Sequence, residues 1–161
     1  MSTQENKTKV LFICLGNICR SAAAEGIFKK YAEDAGMLDQ FEIDSAGMIS
    51  AHEGEKADRR MRKHSEMRGY VLESISRPFD KDVDFDSADY IVAMDGSNIL
   101  DLKSRARDEA DLKKIHRMTD FVVEYDYDTV PDPYTGGPDG FEMVLDILED
   151  SCKGLLDKLK K

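Results

Sequence analysis

The chain has 161 residues, of which 41% are hydrophobic and 35% are charged. This length and balance fit one folded domain with its own core, and the chain is too apolar to be intrinsically disordered. The formal net charge of −10 argues against nucleic acid as a partner, because clustered Lys and Arg capture nucleic acid. The same charge repels phosphorylated ligands, so a phosphate site needs specific local donors.

The N-terminal residues 1–9 are polar and charged, and no later stretch approaches the roughly 18 apolar residues of a membrane span. We therefore expect a single domain over residues 1–161 in the cytoplasm, without membrane contact and with residues 1–8 as a flexible extension. Three cysteines form neither a secreted disulfide framework nor a zinc pattern. No cofactor or metal is implied, and the oligomeric state stays open.

Strand and helix patterns alternate along the chain, which indicates an α/β fold. Buried apolar runs predict strands at residues 10–13 and 90–94, and residues 41–44 read as another strand. Residues 114–118 can form one more strand. Helices are predicted from Ser21, over 57–68, after the capping residue Asp95, and from Phe141 to Leu159, where apolar residues recur every three or four positions. Cys152 lies on the apolar face of that last helix and is predicted to belong to the core. Residues 125–137 form a loop by their Pro, Gly and Asp content.

Cys14 and Arg20 enclose five residues between the first strand and the first helix. Backbone N–H groups of such a loop converge on one point, and the helix dipole adds positive potential, so the loop can cradle an anion. The guanidinium of Arg20 can bind two phosphate oxygens at once. Thiols at helix N-termini ionise near neutral pH, so Cys14 is predicted to be a thiolate nucleophile. A Cys-x5-Arg pattern alone arises by chance, but Gly16, Asn17 and Ser21 favour the functional interpretation.

The segment from Val10 to Ser21 resembles the signature loop of the low-molecular-weight protein tyrosine phosphatases. The resemblance continues at residues spread over nearly the whole chain: Asp44, Ser45, Ala46, Gly47, His52, Gly54, Asp58, Arg59, Met94, Asp95, Ser97, Asn98, Asp132, Pro133 and Tyr134. It implies a single three-layer domain with a four-stranded parallel sheet flanked by helices and a phosphate-binding loop after the first strand. It also implies hydrolysis of phosphotyrosine in proteins or peptides, and of small aryl phosphates, through a phosphocysteine intermediate.

For the site, the resemblance implies Cys14 as nucleophile, Arg20 as phosphate clamp and Asp132 as general acid and base. The substrate-binding residues it implies are Leu15, Gly16, Asn17, Ile18, Cys19, Ser21, Ser45 and Tyr134, with Asn17 and Ser45 orienting the loop. Asp132 also fits on chemical grounds, since one carboxylate can protonate the leaving group and then deprotonate water. Pro131 and Pro133 restrict its loop. The alternative is that Asp132 only begins a turn.

The chain departs from the family pattern around the expected substrate cleft. Ile49, Ser50 and Ala51 precede His52 where the family commonly has an aromatic wall, and Thr135 replaces an aromatic residue after Tyr134. Fewer rings are then available to sandwich a phosphotyrosine, so the cleft is expected to be wider or shallower.

Cys19 has two open interpretations. It can form a reversible disulfide with Cys14 that protects the nucleophile from over-oxidation, as the resemblance supports, or it can be a small buried packing residue.

Two other functions compete with phosphatase activity. Thiol-dependent arsenate reductases share this fold and loop, but they need two further cysteines, and none lies between Ser74 and Asp95. A phosphate-binding module without catalysis is the second alternative, and the retention of nucleophile, clamp and acid together argues against it. The three histidines show no metal spacing and are predicted to be surface or structural residues.

Overall fold

A computed structural model of the chain describes residues 7–133 and 137–160. Its central element is a parallel sheet with the strand order β2-β1-β3-β4. The strands are β1 (Thr8–Cys14), β2 (Phe41–Gly47), β3 (Tyr90–Ala93) and β4 (Ile115–Arg117). The predicted four-stranded parallel sheet is confirmed. Thr8, which the sequence analysis placed in the N-terminal extension, already pairs with Phe41.

Helices cover both faces of this sheet, which gives the three layers. They are α1 (Arg20–Asp34), α2 (Arg59–Met67), α3 (Lys81–Ser87), α4 (Gly96–Arg105), α5 (Glu109–Lys113) and α6 (Gly137–Leu159). The short helices α3 and α5 were not predicted. The predicted helix over 57–68 begins later because Asp58 is its N-cap, and its side chain accepts from the backbone of Arg60 and Met61. The predicted strand over 114–118 ends at Arg117, because a 3-10 helix (Met118–Phe121) begins at the next residue.

Alternate side chains of β1 point into two separate hydrophobic clusters. Val10 and Phe12 pack against α1 and α6, whereas Leu11 and Ile13 pack with residues of α3 and α4. A strand that is buried on both faces has a continuous apolar sequence, as the run at residues 10–13 has. Cys152 is fully buried on the apolar face of α6, so its predicted place in the core is confirmed.

The carboxyl ends of the strands set the position of the candidate site. Cys14 is the last residue of β1 and pairs with Gly47, the last residue of β2. The segment after β3 lies at the same edge, because Val130 donates its N–H to the carbonyl oxygen of Met94 over 2.9 Å. Ligand sites of parallel α/β sheets form at this edge. Among the helices described, none is long and apolar enough to cross a bilayer.

Candidate active site

A cleft of about 330 Å³ opens at the carboxyl edge of the sheet. Its lining residues are Cys14, Leu15, Gly16, Ile18, Cys19, Arg20, Ile49, His52 and Asp132. The structure thus brings together all three residues that were predicted to be catalytic, although Asp132 lies far from the other two in sequence. Four of the predicted substrate-binding residues line the same cleft, and Tyr134 lies outside the described residues.

Cys14 sits where β1 runs into the predicted phosphate-binding loop, residues 14–20, which we call the phosphate loop. Its thiol lies 3.0 Å from the hydroxyl of Ser21, in the first turn of α1. The carbonyl oxygen of Cys14 accepts the N–H of Met48 over 3.0 Å, which extends the pairing of β1 with β2. Cys14 is buried, with an exposed fraction of 3%, and it lines the cleft.

The side chain of Asn17 connects the phosphate loop to neighbouring elements through hydrogen bonds. Its φ is 58°, in the left-handed region that non-glycine residues seldom adopt, and Asn is among the residues that tolerate it best. Its amide donates to Ser21 over 2.8 Å and to Ser45 over 2.9 Å, and its oxygen accepts the N–H of Arg77 over 3.1 Å. Ser45 in turn donates to Glu25 over 2.6 Å. The side chains of Asn17, Ser21 and Ser45 are therefore buried beside the loop. None of the three residues is among those that line the cleft.

Three backbone carbonyl oxygens of the loop accept hydrogen bonds from groups outside it. Leu15 accepts from the N–H of Ile49 over 3.0 Å, Ile18 from the N–H of Asp58 over 2.7 Å, and Gly16 from the hydroxyl of Ser76 over 2.9 Å. Within residues 7–133 and 137–160, the N–H groups of residues 15–19 have no protein acceptor. Successive N–H groups of this kind are suited to bind an anion.

Arg20 is held at one end of its guanidinium. Its Nη1 donates to the carboxylate of Asp95 over 2.7 Å and to the carbonyl oxygen of Val130 over 2.9 Å. Asp95 also caps α4 by accepting the N–H of Asn98 over 2.8 Å. Nε and Nη2 have no protein partner within the described ranges, so this edge of the fork can bind an anion in the cleft.

Cys19 lies in the loop with an exposed fraction of 5% and packs in the hydrophobic cluster of α1 and α6. Burial raises the pKa of its thiol far above the usual range, and the charges of Asp58, Cys14 and Asp132 act in the same direction. Cys19 therefore stays protonated at neutral pH. Cys14 and Cys19 are both free thiols in the structure.

Sequence reasoning missed several residues that shape the site. Ser76 and Arg77 support the phosphate loop through a hydroxyl and a backbone N–H, and neither contact has a sequence pattern. His52, which was predicted to be a surface or structural residue, also lines the cleft, beside Ile49. A Cβ on Gly16 would lie 2.9 Å from Cδ2 of His52, so a larger residue at position 16 would require the imidazole ring to shift.

Comparison with known proteins identifies the family. Residues 9–161 match the family model described as low molecular weight phosphotyrosine protein phosphatase. A low molecular weight protein-tyrosine-phosphatase from Streptomyces coelicolor is 40% identical to this chain, over 95% of the chain and 94% of that protein. A solved protein tyrosine phosphatase from Entamoeba histolytica is 48% identical with a TM-score of 0.92, covering 95% of this chain and 97% of that one.

A second solved structure, a Drosophila arginine phosphatase, has a TM-score of 0.87 at 30% identity and covers 96% of this chain and 99% of its own. All these matches extend over nearly the full length of both chains. The chain is therefore a hydrolase that belongs to the low molecular weight phosphotyrosine protein phosphatase family.

Proposed function

We propose that the chain hydrolyses protein phosphotyrosine and small aryl phosphates through a phosphocysteine intermediate on Cys14. The observation that carries this proposal is that Cys14, Arg20 and Asp132 line one cleft, beside five backbone N–H groups that have no acceptor among the described residues. A nucleophile, a cation, an acid and a ring of donors are the groups that phosphoryl transfer needs.

In the first step the thiolate of Cys14 attacks phosphorus, the S–P bond forms, and the bond from phosphorus to the phenolic oxygen breaks. The carboxylic acid of Asp132 gives its proton to the departing phenolate, so tyrosine leaves as a neutral phenol. The N–H groups of residues 15–19 and the free edge of Arg20 bind the phosphoryl oxygens, on which negative charge is concentrated.

In the second step the carboxylate of Asp132 takes a proton from water as the water oxygen attacks phosphorus. The S–P bond breaks and inorganic phosphate forms. Ser21, 3.0 Å from the sulfur, donates a hydrogen bond to the thiolate that leaves. One carboxylate thus acts first as acid and then as base, and Cys14 returns to its starting state. The mechanism requires no metal or cofactor.

The rim of the cleft supports an aryl substrate. Leu15 and Ile49 line the cleft and keep exposed fractions of 45% and 41%, although both side chains are apolar. An aromatic ring that extends from the bound phosphoryl group can cover these side chains and remove them from water. Because one solved neighbour is an arginine phosphatase, phosphoarginine is the substrate against which this preference has to be tested.

The third cysteine gives no support to the arsenate reductase alternative. Cys152 is fully buried in α6, where its thiol donates to the carbonyl oxygen of Ala24 over 3.7 Å. Burial raises the pKa of this thiol well above its usual range, so it is a poor nucleophile at neutral pH. A relay of electrons from Cys14 to Cys152 would have to pass through the core.

The test is the release of phosphate from phenyl phosphate, 4-nitrophenyl phosphate, and phosphotyrosyl, phosphoseryl and phosphoarginyl peptides, with a chelator present. Wild type is compared with Cys14→Ser, Asp132→Asn and the matched control Asp126→Asn, which changes an exposed carboxylate in the same loop. We expect Cys14→Ser to be inactive. Asp132→Asn is expected to lower kcat/KM for phenyl phosphate by about 10²-fold or more.

The loss for Asp132→Asn should be smaller with 4-nitrophenyl phosphate, because its leaving group needs less protonation. Among the peptides, the phosphotyrosyl peptide is expected to have the highest kcat/KM. Turnover by Cys14→Ser, or equal losses in Asp132→Asn and Asp126→Asn, would refute the residue assignment. A higher kcat/KM for phosphoarginine than for phosphotyrosine would refute the substrate.

A further inference from the structure

A second groove adjoins the catalytic cleft, with a volume of about 450 Å³. Ile18 and His52 line both spaces, so these two side chains separate them. On the far side of His52 the groove is lined by the basic residues Lys56, Arg59 and Arg62. The groove is therefore the space directly beside the predicted phosphoryl site.

The groove lies in a basic region of an acidic protein. The whole chain has 23 Lys and Arg residues against 33 Asp and Glu, whereas residues 56–63 have five Lys and Arg residues against one acidic residue. Local charge of this sign opposes the repulsion that the rest of the molecule exerts on an anionic substrate. The only segment of the sequence with this excess of cations thus lies at the edge of the site for a phosphorylated ligand.

The acidic residues of the groove already have hydrogen-bond partners, whereas its cations form no ion pair with a carboxylate of the described residues. Glu55 pairs with His52 over 2.9 Å, and Asp58 accepts two backbone N–H groups at the start of α2. Within the described ranges no carboxylate pairs with Lys56, Arg59 or Arg62. Lys56 and Arg59 are exposed, so an incoming anion displaces no existing ion pair.

Hydrogen bonds fix the groove relative to the catalytic cleft. Asp58 donates its N–H to Ile18 in the phosphate loop over 2.7 Å. The N–H of Gly54 donates to the carbonyl oxygen of Ser76, and the N–H of Ser76 donates to that of Glu55, each over 2.8 Å. The hydroxyl of Ser76 donates to the carbonyl oxygen of Gly16 in the loop. The Nε of Arg62 donates to the carbonyl oxygen of Ala57 over 2.9 Å, which orients its guanidinium. The cations are thus carried by a segment that is bonded to the loop itself.

We propose that the groove formed by Lys56, Arg59 and Arg62 is a substrate subsite for an anionic side chain that neighbours the phosphotyrosine in a peptide. This inference rests on the proposed function and names the substrate class more closely, as acidic phosphotyrosyl segments. The anion is a carboxylate or a second phosphoryl group. Arg binds either with a planar fork, and a phosphoryl group brings more charge.

The experiment measures kcat/KM for phosphotyrosyl peptides in which Glu, Gln or phosphoserine is placed in turn at each of the three positions on either side. At one or two adjacent positions Glu is expected to raise kcat/KM about fivefold over Gln, the effect of one or two exposed ion pairs. Phosphoserine at these positions should raise it further. Added salt should reduce both effects, because exposed ion pairs are screened.

Three variants then locate the effect: Arg59→Gln, the double variant of Lys56→Gln with Arg59→Gln, and the control Lys153→Gln. Lys153 is an exposed lysine beside the C-terminal end of α1, at the opposite end of that helix from the phosphate loop. The measured quantity is the ratio of kcat/KM for the Glu and Gln peptides, so a general change in activity cancels. The ratio should fall toward one in the groove variants and stay at the wild-type value in Lys153→Gln.

A ratio near one at all positions in an active wild-type enzyme would refute the subsite and leave the proposed function intact. The subsite would also be refuted if Glu raised kcat/KM equally at all positions, or if the double variant left the ratio unchanged. Either result would mean that the protein attracts acidic peptides without a defined groove. Absence of phosphotyrosyl hydrolysis in wild type would instead refute the proposed function, and the subsite with it.

Discussion

Gly47 faces the carbonyl oxygen of Leu15 so closely that a Cβ on residue 47 would lie 2.8 Å from that oxygen. The same Cβ would lie 3.0 Å from the backbone nitrogen of Asn17 and 3.0 Å from the backbone carbon of Gly16. All three neighbours are backbone atoms of the phosphate loop, which no side-chain rotation can move. The end of β2 therefore sets the position of the loop, and it can do so only with glycine.

Gly47→Ala should displace the phosphate loop. We expect the free energy of unfolding to fall by about 1–3 kcal/mol, as overpacking usually causes. The value of kcat/KM for an aryl phosphate should fall by about 10²-fold, the effect of a displacement of about 1 Å in a catalytic group. Urea unfolding and steady-state kinetics measure the two effects. Gly96→Ala is the control, because a Cβ there meets nothing within 4 Å, and equal effects in both variants would contradict this account.

Asn17 allows the backbone and side-chain contributions to be separated. Asn17→Gly removes the side-chain amide that donates hydrogen bonds to Ser21 and Ser45, but glycine adopts the positive φ without strain. Asn17→Ala removes the same bonds and adds a left-handed strain of about 1–2 kcal/mol. Urea unfolding should therefore show Asn17→Ala to be less stable than Asn17→Gly by about that amount. If the alanine variant is as stable as the glycine variant, the loop does not hold this conformation in solution.

Asp95 combines a helix cap with an ion pair to Arg20, and Asp95→Asn separates the two. Asparagine keeps an oxygen for the N–H of Asn98 but loses the charge that holds the guanidinium. We expect kcat/KM to fall about tenfold or more, since a mobile clamp binds the phosphoryl group less well. Asp80→Asn is a matched control because Asp80 caps α3 in the same way. Equal kinetics in the two variants would show that the ion pair does not position Arg20.

The contacts between α2 and α6 should make stability depend on pH. Arg68 pairs with Glu142, Asp146 and Glu149 at 2.8, 3.0 and 2.6 Å. The hydrogen bond from Arg68 holds the pKa of Glu142 below its usual range. Burial of the carboxylate raises this pKa, and a hydrogen bond with His64 makes a smaller contribution that lowers it. The folded state therefore binds this proton less readily than the unfolded state. The resulting stability is fully present above the unfolded pKa of about 4.3 and is lost as pH falls through the lower folded value.

Glu142→Gln removes this titration. The difference in unfolding free energy between wild type and the variant should shrink as pH falls from about 6 to about 3. Urea unfolding at several pH values, at constant ionic strength, measures it. A difference that stays constant or grows toward low pH would show that Glu142 is not held in its charged form by Arg68.

The phosphate loop could be predicted because its chemistry is local in the sequence. Cys14 and Arg20 lie within one short motif, between an apolar run typical of a buried strand and an alanine-rich helix start. The long helix α6 was equally predictable, since its apolar residues repeat over many turns. By contrast, α3 and α5 have only seven and five residues, too few for such a repeat to stand out.

The contacts that Ser76 and Arg77 make with the loop could not be predicted, because these two residues are distant from it in sequence. Ser76 and Arg77 act through a hydroxyl and a backbone N–H, and almost any sequence can supply such groups. The groove beside His52 shows the same limit. Its cations are visible in the sequence as a charge run, but only the fold shows that Lys56 and Arg59 lie next to the catalytic cleft.

The most direct test of the central claim is to identify the phosphorylated residue during turnover. Wild-type enzyme is mixed with an aryl phosphate, quenched within the first turnover, digested and analysed by mass spectrometry, beside Cys14→Ser treated in the same way. The account predicts one phosphoryl group on the peptide that contains Cys14, released on further incubation, and none in the variant. A phosphoryl group on another residue, or turnover with no phosphoenzyme and undiminished activity in Cys14→Ser, would contradict it.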